Sequence, residues 1–501
     1  MMLPLLSIAM VTLLLYLTDL KNQKLYYRRR GSSLPPGRPW IPLLGSLFRR
    51  PPTVASLSTV LRRLHDAHGP VVTLSAGSRP AVFIAHHDIA HRTLVTMGAT
   101  FAHRPPSLSY GLNGYSVNSA AYGSRWAVLR RNLCSHLAAA DVAGPLRLSI
   151  NRLLQSLEVA ALESGDGVVI PSVSLRHAVF SFFAALCFGE GVAGDVLAHL
   201  RDLHAEILSL VVELDAFHLM PMALQLAYYF PRWWKLFNAK NKHHDVVVAL
   251  ISARRRRQEK VGDVDDDSVV QRCYVDRLLK LGLGEHEMVS LCWEFMNAAS
   301  KTTSTALEWI MARLVLHQDI QQKLWDDIAR RAGGVDPRPD GSESPFVEAV
   351  VLEALRRHPP AHYLLAHTTD RDVSLDGYVI PKGSIVNYGV AEIGRDTTLW
   401  TEPDVFRPER FLESGEGFIV RGGITSGGGG PENLKMIPFG AGRRACPGAA
   451  VAMKVLQSFV ENLVMRFQWK QVSCVGKEAE VDMSERPGLV TEMKTPLHTQ
   501  S

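Results

Sequence analysis

The 501-residue sequence predicts a mainly α-helical protein with small β-sheets, preceded by a single N-terminal transmembrane helix. Residues 145–255 and 287–317 follow helical hydrophobic periodicity over long stretches. Short strand-like runs between residues 373 and 388 are interrupted at Gly377 and at the Pro-Lys-Gly of 381–383, which is typical of strands joined by turns. The first 18 residues carry no charge, which is typical of a membrane-spanning helix.

Composition limits the class of protein. Hydrophobic residues make up 47% of the chain and charged residues 21%, which indicates a globular protein with a substantial core. The net charge of +6 permits an acidic partner or a membrane surface without establishing either. Six cysteines without a Cys-x-x-Cys pair argue against a zinc site and are too sparse for a disulfide scaffold, so a reducing compartment fits best.

We expect three parts: a membrane signal anchor at 1–20, a basic and proline-rich hinge at 21–45, and one catalytic domain at 46–501. Residues 1–18 would span about 27 Å as a helix, close to the thickness of the hydrocarbon core of a bilayer. A cleaved signal peptide is the less favoured alternative, because no basic residue precedes the apolar run and no clear cleavage site follows it. Basic residues between 21 and 30 place the body of the protein in the cytosol.

Prolines between residues 35 and 42 exclude helix and give a stiff, extended connector, although an SH3 ligand is an alternative for such a segment. Val71–Ala76 and Ala81–Ile84 are predicted to form a β-hairpin. Further on, a basic run at 254–257 is followed by an acidic run at 263–267, which is typical of a solvated loop. The acidic run cancels the basic charge, and with the anchor it argues against a nucleic-acid partner.

The most informative stretch is 439–448, Phe-Gly-Ala-Gly-Arg-Arg-Ala-Cys-Pro-Gly. Its glycines permit tight turns and the close approach of a planar group, and its two arginines favour a thiolate over a thiol. Residues 449–467 are predicted to be helical, so a helix N-terminus would point at the sulfur of Cys446 and lower the pKa of its thiol. A thiolate in such a turn fits the axial ligand of a haem iron. A buried free cysteine is the alternative.

Polar residues interrupt the otherwise apolar helix 287–317 at Ser300–Thr305, which indicates either function or hydroxyls that bond back to main-chain carbonyls. Glu353 and Arg356 stand three residues apart on one helical face. Most such pairs are surface salt bridges, but apolar residues flank this one on both sides in sequence, which indicates that it is partly buried. A zinc site from His358, His362 and His367 is conceivable, but no supporting Cys or acid cluster accompanies them.

Together these motifs resemble the cytochrome P450 family, and their order along the chain is similar to that of plant-type microsomal haem-thiolate monooxygenases. Five positions of the cysteine loop match the family signature: Phe439, Gly442, Arg444, Cys446 and Gly448. The resemblance implies that Cys446 is the metal ligand and that Phe439 and Gly448 also bind the cofactor. It further implies propionate contacts and a structural triad: Trp126, Arg130, His367 and Arg444 for the propionates, and Glu353, Arg356 and Arg410 for the triad.

Residues Ala298–Thr303 resemble the oxygen-binding segment of the family, in which a threonine hydroxyl and a neighbouring acid deliver protons. Thr302 matches that threonine. Ala299 stands where glycine is usual, and Lys301 stands where the acid is usual. The predicted catalytic residues are therefore Ala299, Lys301 and Thr302, with the charge of the proton relay reversed.

The resemblance implies haem b (iron protoporphyrin IX) as cofactor and the insertion of one oxygen atom from O2 into a lipophilic small molecule. Electrons would come from NADPH through NADPH–cytochrome P450 reductase, at the endoplasmic reticulum membrane, with a single-pass anchor and a cytosolic catalytic domain. A haem-thiolate isomerase or dehydratase without O2 or reductase, and a non-catalytic haem protein, are the alternatives. The substrate lining by resemblance is Leu112, Phe295, Met296, Ala299, Leu364, Leu365, Leu489 and Val490.

Overall fold

The computed structural model describes residues 34–39, 54–76, 79–105, 116–165, 167–215, 222–261, 273–332, 344–474, 477–478, 480–486 and 488–500. The predicted anchor at 1–20, most of the hinge at 21–45, and Leu112 lie outside the described residues. The three domain boundaries therefore stay predictions.

Long helices make up most of the described chain, as the helical periodicity predicts, and short helical turns connect several of them. The α-helices are α1 (Val54–His68), α2 (His87–His91), α3 (Gly98–Phe101), α4 (Ser124–Ala139), α5 (Ala143–Ser164), α6 (Pro171–Phe188), α7 (Gly194–Asp215), α8 (Met222–Val261), α9 (Tyr274–Leu279), α10 (Glu285–Leu316), α11 (Gln318–Ala332), α12 (Pro345–Arg357), α13 (Val390–Ile393), α14 (Phe418–Ile424) and α15 (Ala449–Arg466).

Helix α10 lies at the centre of the helical layer, where it packs against α6, α8, α11, α12 and α15. Its second half is buried on every side, because successive residues such as Leu307, Trp309 and Ile310 are at most 1% exposed. Glu285 and Glu287 in its first turn interact favourably with the positive end of the helix dipole. The predicted apolar helix at 287–317 is thus confirmed as the core of the protein.

Helix α12 begins at the serine cap and proline that its sequence predicts. The Ser344 hydroxyl accepts a hydrogen bond from the main-chain N–H of Val347 at 3.2 Å, and Pro345 occupies the first helical position. The serine thereby satisfies one of the N–H groups that every helix start leaves without a partner. This cap sets the residue at which α12 begins, and the helix packs against α10.

The strands are β1 (Gly37–Pro39), β2 (Val71–Ala76), β3 (Arg79–Ile84), β4 (Val168–Val169), β5 (His367–Thr368), β6 (Val373–Leu375), β7 (Tyr378–Ile380), β8 (Ile385–Tyr388), β9 (Ser473–Cys474), β10 (Lys477–Glu478), β11 (Glu485–Arg486), β12 (Glu492–Met493) and β13 (Thr499–Gln500). They form small sheets, the largest in the order β1-β2-β3-β8-β5. The predicted hairpin is confirmed, since β2 pairs antiparallel with β3, which begins two residues earlier than expected.

The predicted fold class, mainly α with small β-sheets, is therefore confirmed. Within the described residues, α6 is long and apolar enough to cross a membrane by length and composition alone. It is 72% buried inside the protein, where it packs against α5 and α10. That burial is typical of a core helix.

Candidate active site

The loop before α15 holds Cys446 in a tight turn. Gly440 and Gly442 both adopt φ of +68°, a left-handed conformation that glycine adopts without strain. A Cβ on Gly442 would also collide with the main-chain oxygen of Leu94. The N–H of Cys446 donates to the carbonyl of Phe439 at 2.8 Å and closes the turn. The loop conformation thus depends on the glycines of the sequence motif.

Cys446 is exposed, although the alanines on either side of it in the loop and helix, Ala445 and Ala449, are buried. The surrounding protein raises the pKa of the Cys446 thiol, because burial disfavours the charged thiolate and outweighs the opposite effects of the Gly448 N–H and of Arg130. The predicted lowering of this pKa is therefore wrong for the protein alone. An accessible thiol inside a large mass of protein lines an interior space. A metal ion in that space would deprotonate the thiol.

Arginines converge beside this loop. Arg444 donates to the carbonyls of Ala102 at 2.8 Å, Val117 at 2.8 Å and Ala120 at 2.6 Å. Arg130 donates to the carbonyl of Ala445. The bonds from Arg444 tie the segment before α4 to the cysteine loop, so the cationic groups are held in place by main-chain acceptors.

Trp126 joins this cluster from the first turns of α4. Its indole N–H donates to the carbonyl of Val117 at 3.0 Å, an acceptor that it shares with Arg444. The Arg444 guanidinium lies 4.7 Å from the centre of a Trp126 ring, and that of Arg130 lies 6.0 Å from it. Trp126 and Arg130 share one face of α4, as their spacing predicts.

Positive charge accumulates here. Burial, together with the charges of Arg104 and Arg130, lowers the pKa of Arg444 to about 9. An anion bound at this cluster would restore the favourable environment of the guanidinium groups. Haem carries two carboxylates and requires an axial ligand, so an accessible thiol next to clustered arginines fits this cofactor.

The cytochrome P450 family profile matches residues 35–498. The chain belongs to this family. Cytochrome P450 89A9 of Arabidopsis thaliana is 34% identical, over 94% of this chain and 94% of its own length. Geraniol 8-hydroxylase of Catharanthus roseus is 26% identical over 98% of each chain, and flavonoid 3'-monooxygenase of Arabidopsis thaliana is 27% identical over 94% of this chain and 91% of its own.

Solved structures agree on the fold. A zebra fish cytochrome P450 with progesterone superimposes with a TM-score of 0.71 at 22% identity, covering 88% of this chain and 98% of the other. The relatives are named hydroxylases and monooxygenases, which confirms the predicted enzyme class of cytochrome P450 monooxygenase. Since these relatives come from plants, the predicted resemblance to plant P450s is also confirmed.

In this P450 the middle of α10 opens onto accessible space. Ala298 is exposed, and Ala299 and Thr302 are half-buried, whereas Thr303 is buried. The Thr302 hydroxyl donates to the carbonyl of Ala298 at 2.7 Å, and that of Ser300 donates to the carbonyl of Met296 at 2.6 Å. The predicted bonds back along the helix are thus present, whereas the function of the accessible Thr302 hydroxyl stays a prediction.

Two residues of the predicted substrate lining are buried. The Phe295 ring packs against Tyr274, Phe183 and His136 in the core, at centroid distances of 5.1, 6.3 and 6.1 Å. Met296 is fully buried. Phe295 still shares a helical face with Ala299 and Thr302, four and seven positions further on, so the lining role of both residues stays a prediction. Leu364, Leu365, Leu489 and Val490 are at least partly accessible.

His367 is held by the segment after α3. Its Nδ1 lies 2.7 Å from the carbonyl of Phe101, so that nitrogen carries the proton and donates it. Burial lowers the pKa of His367 to about 3, and the imidazole is neutral at physiological pH. Arg104 donates to the carbonyls of Leu365 and Ala366 just before it, at 2.7 and 2.9 Å. His358 and His362 contact other groups, Arg313 and Glu485 respectively.

The predicted triad of Glu353, Arg356 and Arg410 comes together in the core. Arg356 binds the Glu353 carboxylate through two hydrogen bonds of 2.7 and 2.8 Å, and Arg410 Nε lies 3.4 Å from Glu353 Oε1. The three residues are 0%, 1% and 2% exposed in that order. Their position joins α12 to the turn at Pro408–Phe411.

Sequence reasoning missed Glu294, which lies two helical turns before Thr302. Its carboxylate accepts hydrogen bonds from the N–H groups of Val117 at 2.7 Å and Asn118 at 2.6 Å. Burial raises the pKa of Glu294 to about 7 despite these bonds. The available signal was an isolated acid within a helix that is otherwise apolar on nearly every side.

Proposed function

We propose that this P450 binds haem b through Cys446 and inserts one oxygen atom from O2 into a lipophilic small molecule. The observation that carries the proposal is the accessible Cys446 thiol beside the half-buried guanidinium groups of Arg130 and Arg444. Bound haem would supply the activation of oxygen. The Cys446 thiolate would hold the iron from one side, and the helix dipole of α15 would favour its negative charge.

The remaining side chains would orient the cofactor and supply a proton. Arg130, Arg444 and Trp126 would hold the propionates by hydrogen bonds, with charge assistance from the arginines. His367 would join them once it is protonated at both ring nitrogens, because a nearby carboxylate favours the charged imidazole. Phe439 and Gly448 would also contact the cofactor, and a Cβ at position 448 would stand 3.9 Å from the Cys446 sulfur, so Gly448 lies beside the proposed ligand. The Thr302 hydroxyl would hold a proton at Oγ1 on the accessible face of α10.

Electrons would come from NADPH through NADPH–cytochrome P450 reductase at the endoplasmic reticulum membrane. The uncharged run at 1–18 and the basic residues that follow it support a single-pass anchor with a cytosolic catalytic domain. The glycine-rich stretch at 422–430 lacks the Gly-Lys-Ser/Thr of a phosphate loop.

The substrate class follows from accessible apolar residues and from the relatives. Leu365 is 39% exposed and Leu489 is 46% exposed, which suits contact with a lipophilic molecule. The names of relatives include geraniol, flavonoid and geranylhydroquinone hydroxylation or monooxygenation. Compounds of these kinds form the first panel for a substrate screen.

A second candidate is a haem-thiolate isomerase or dehydratase, which would need neither O2 nor a reductase. Lys301 favours it, because a cation stands where the resemblance expects the proton-donating acid. The two candidates differ in what the reaction consumes.

The test is turnover of the membrane-bound holoenzyme with purified reductase and isotopically heavy dioxygen. Panel compounds that shift the haem absorption band are incubated with and without NADPH. Oxygenation predicts a product that forms only with NADPH and contains one heavy oxygen atom. A product that forms equally well without NADPH and O2 would contradict it and support the isomerase.

A further inference from the structure

The last part of the chain is fastened to one face of α10 at three points. Lys301 donates to the carboxylate of Glu492, which begins β12. The Trp309 indole N–H donates to the carbonyl of Thr491 at 2.9 Å, and the N–H of Leu497 approaches the Glu308 carboxylate at 3.4 Å. Residues seven and eight positions apart share a helical face, so Lys301 lies on the same face of α10 as Glu308 and Trp309.

The contact between Lys301 and Glu492 belongs to a small charge network. Arg176 Nη2 lies 3.6 Å from Glu492 Oε1 and 3.7 Å from Glu308 Oε2, and Arg486 Nη2 lies 3.9 Å from Glu492 Oε2. The side chains of Glu308 and Glu492 are 3% and 15% exposed. Three cations thus surround two sheltered carboxylates. An acid at position 301 would add a third carboxylate to them.

Glu492 also belongs to the hairpin in which β11 pairs with β12, and Arg486 pairs directly with Glu492 across it. The hairpin, Glu485–Met493, presents Leu489 at its tip with 46% of its surface exposed. On the other side, the N–H of Thr491 donates to the carbonyl of Pro360 at 2.8 Å. Lys301 therefore connects the accessible stretch of α10 to a segment with an exposed apolar tip.

We propose that Lys301 is a positioning residue whose ion pair with Glu492 fixes the hairpin Glu485–Met493 against α10 and thereby sets which apolar side chains reach the substrate. The inference rests on the proposed function for the identity of the substrate. The structural role of Lys301 in holding the hairpin does not depend on that function. The ammonium group of Lys301 then holds the hairpin in place. It is bound by Glu492 and does not deliver protons.

The experiment compares full-chain holoenzymes that carry Lys301→Glu, Glu492→Lys and both changes together. Each single change places like charges opposite each other. We expect hydrogen exchange in 485–493 to rise about tenfold or more, because local opening needs less free energy. Binding of a lipophilic panel compound, measured by the haem absorption shift, should weaken about tenfold. The double variant should lie closer to the wild type than either single variant, because residues in contact give non-additive effects.

Lys323→Glu is the matched control, because it also reverses the charge of a lysine. Lys323 lies on α11 and forms an exposed ion pair with Glu409. It should leave exchange in 485–493 unchanged. If Lys301→Glu fails to fold, Lys301→Met removes the charge without adding repulsion and should raise the same exchange by a smaller factor.

Unchanged exchange in the Lys301 variants, or strictly additive effects in the double variant, would overturn the inference. Altered exchange in a protein that shows no NADPH-dependent turnover would preserve the role of Lys301 and reject the proposed function. The two failures are therefore distinguishable.

Discussion

Burial acts in the same direction on two acidic groups beside the arginine cluster, the Cys446 thiol and the Glu294 carboxyl. It raises the pKa of both, because a charged form is disfavoured in the protein interior. The thiol would be deprotonated by the iron that it binds, whereas the Glu294 carboxylate depends on two main-chain N–H groups. Glu294 is thus the group whose titration should be visible in the stability of the protein.

We predict that one part of the pH dependence of stability, the part due to Glu294, disappears in Glu294→Gln. The ordinary pKa of this carboxyl is 4.5, and in the folded protein it is about 7. Between these values the folded protein binds more protons than the unfolded chain, so stability falls as the pH rises from 4.5 to 7. The full effect would be about 3 kcal/mol. Denaturant unfolding between pH 5 and pH 8 measures it.

Glutamine at position 294 cannot titrate, so this contribution to the slope should vanish. Glu158→Gln is the control, because Glu158 pairs with Arg466 at the surface. An identical pH slope in the wild type and Glu294→Gln would contradict the assignment.

At the scale of elements, α12 and the turn at Pro408–Phe411 are joined by charges with no access to water. Glu353 binds both Arg356 and Arg410 there. Arg356 also donates to the carbonyls of Gly394 at 2.7 Å and Pro403 at 2.8 Å, so the network extends to two further loops. Removal of one charge would leave the others buried without compensation.

We predict that Glu353→Gln lowers the free energy of unfolding by ~3–5 kcal/mol, the usual cost of breaking a buried pair. Haem retention should fall in parallel, because the network holds the loops that precede the cysteine loop. Arg466→Ala breaks the exposed pair with Glu158 and should cost only ~0–1 kcal/mol. Denaturant unfolding measures both losses of free energy. Equal losses in the two variants would show that the buried triad stabilises the protein no more than an exposed ion pair does.

At the scale of the whole molecule, the features that could be predicted are those that depend on residues close together in the sequence. The Ser344 cap, the β2–β3 hairpin and the glycine turn around Cys446 each depend on residues within a few positions of one another. Helix α10 could be predicted as core, because it is apolar on nearly every side. The order of motifs then identified the family and with it the fold.

Contacts between distant parts of the chain could not be predicted in this way. Lys301 and Glu492 are 191 positions apart, and Glu294 and Val117 are 177 apart. A charge at either position has many possible partners until the helices are packed. Periodicity likewise does not say which neighbour a buried helical face contacts, so the packing of Phe295 against Tyr274 could not be predicted either.

The central claim is that Cys446 holds a haem iron as a thiolate, and the reduced, carbon-monoxide-bound absorption spectrum tests it most directly. Wild-type protein and Cys134→Ser, which changes a different free cysteine on α4, should both give a thiolate-type Soret band. Cys446→Ser should lose that band. A thiolate-type band that persists in Cys446→Ser, or its absence from folded wild-type protein, would contradict the account.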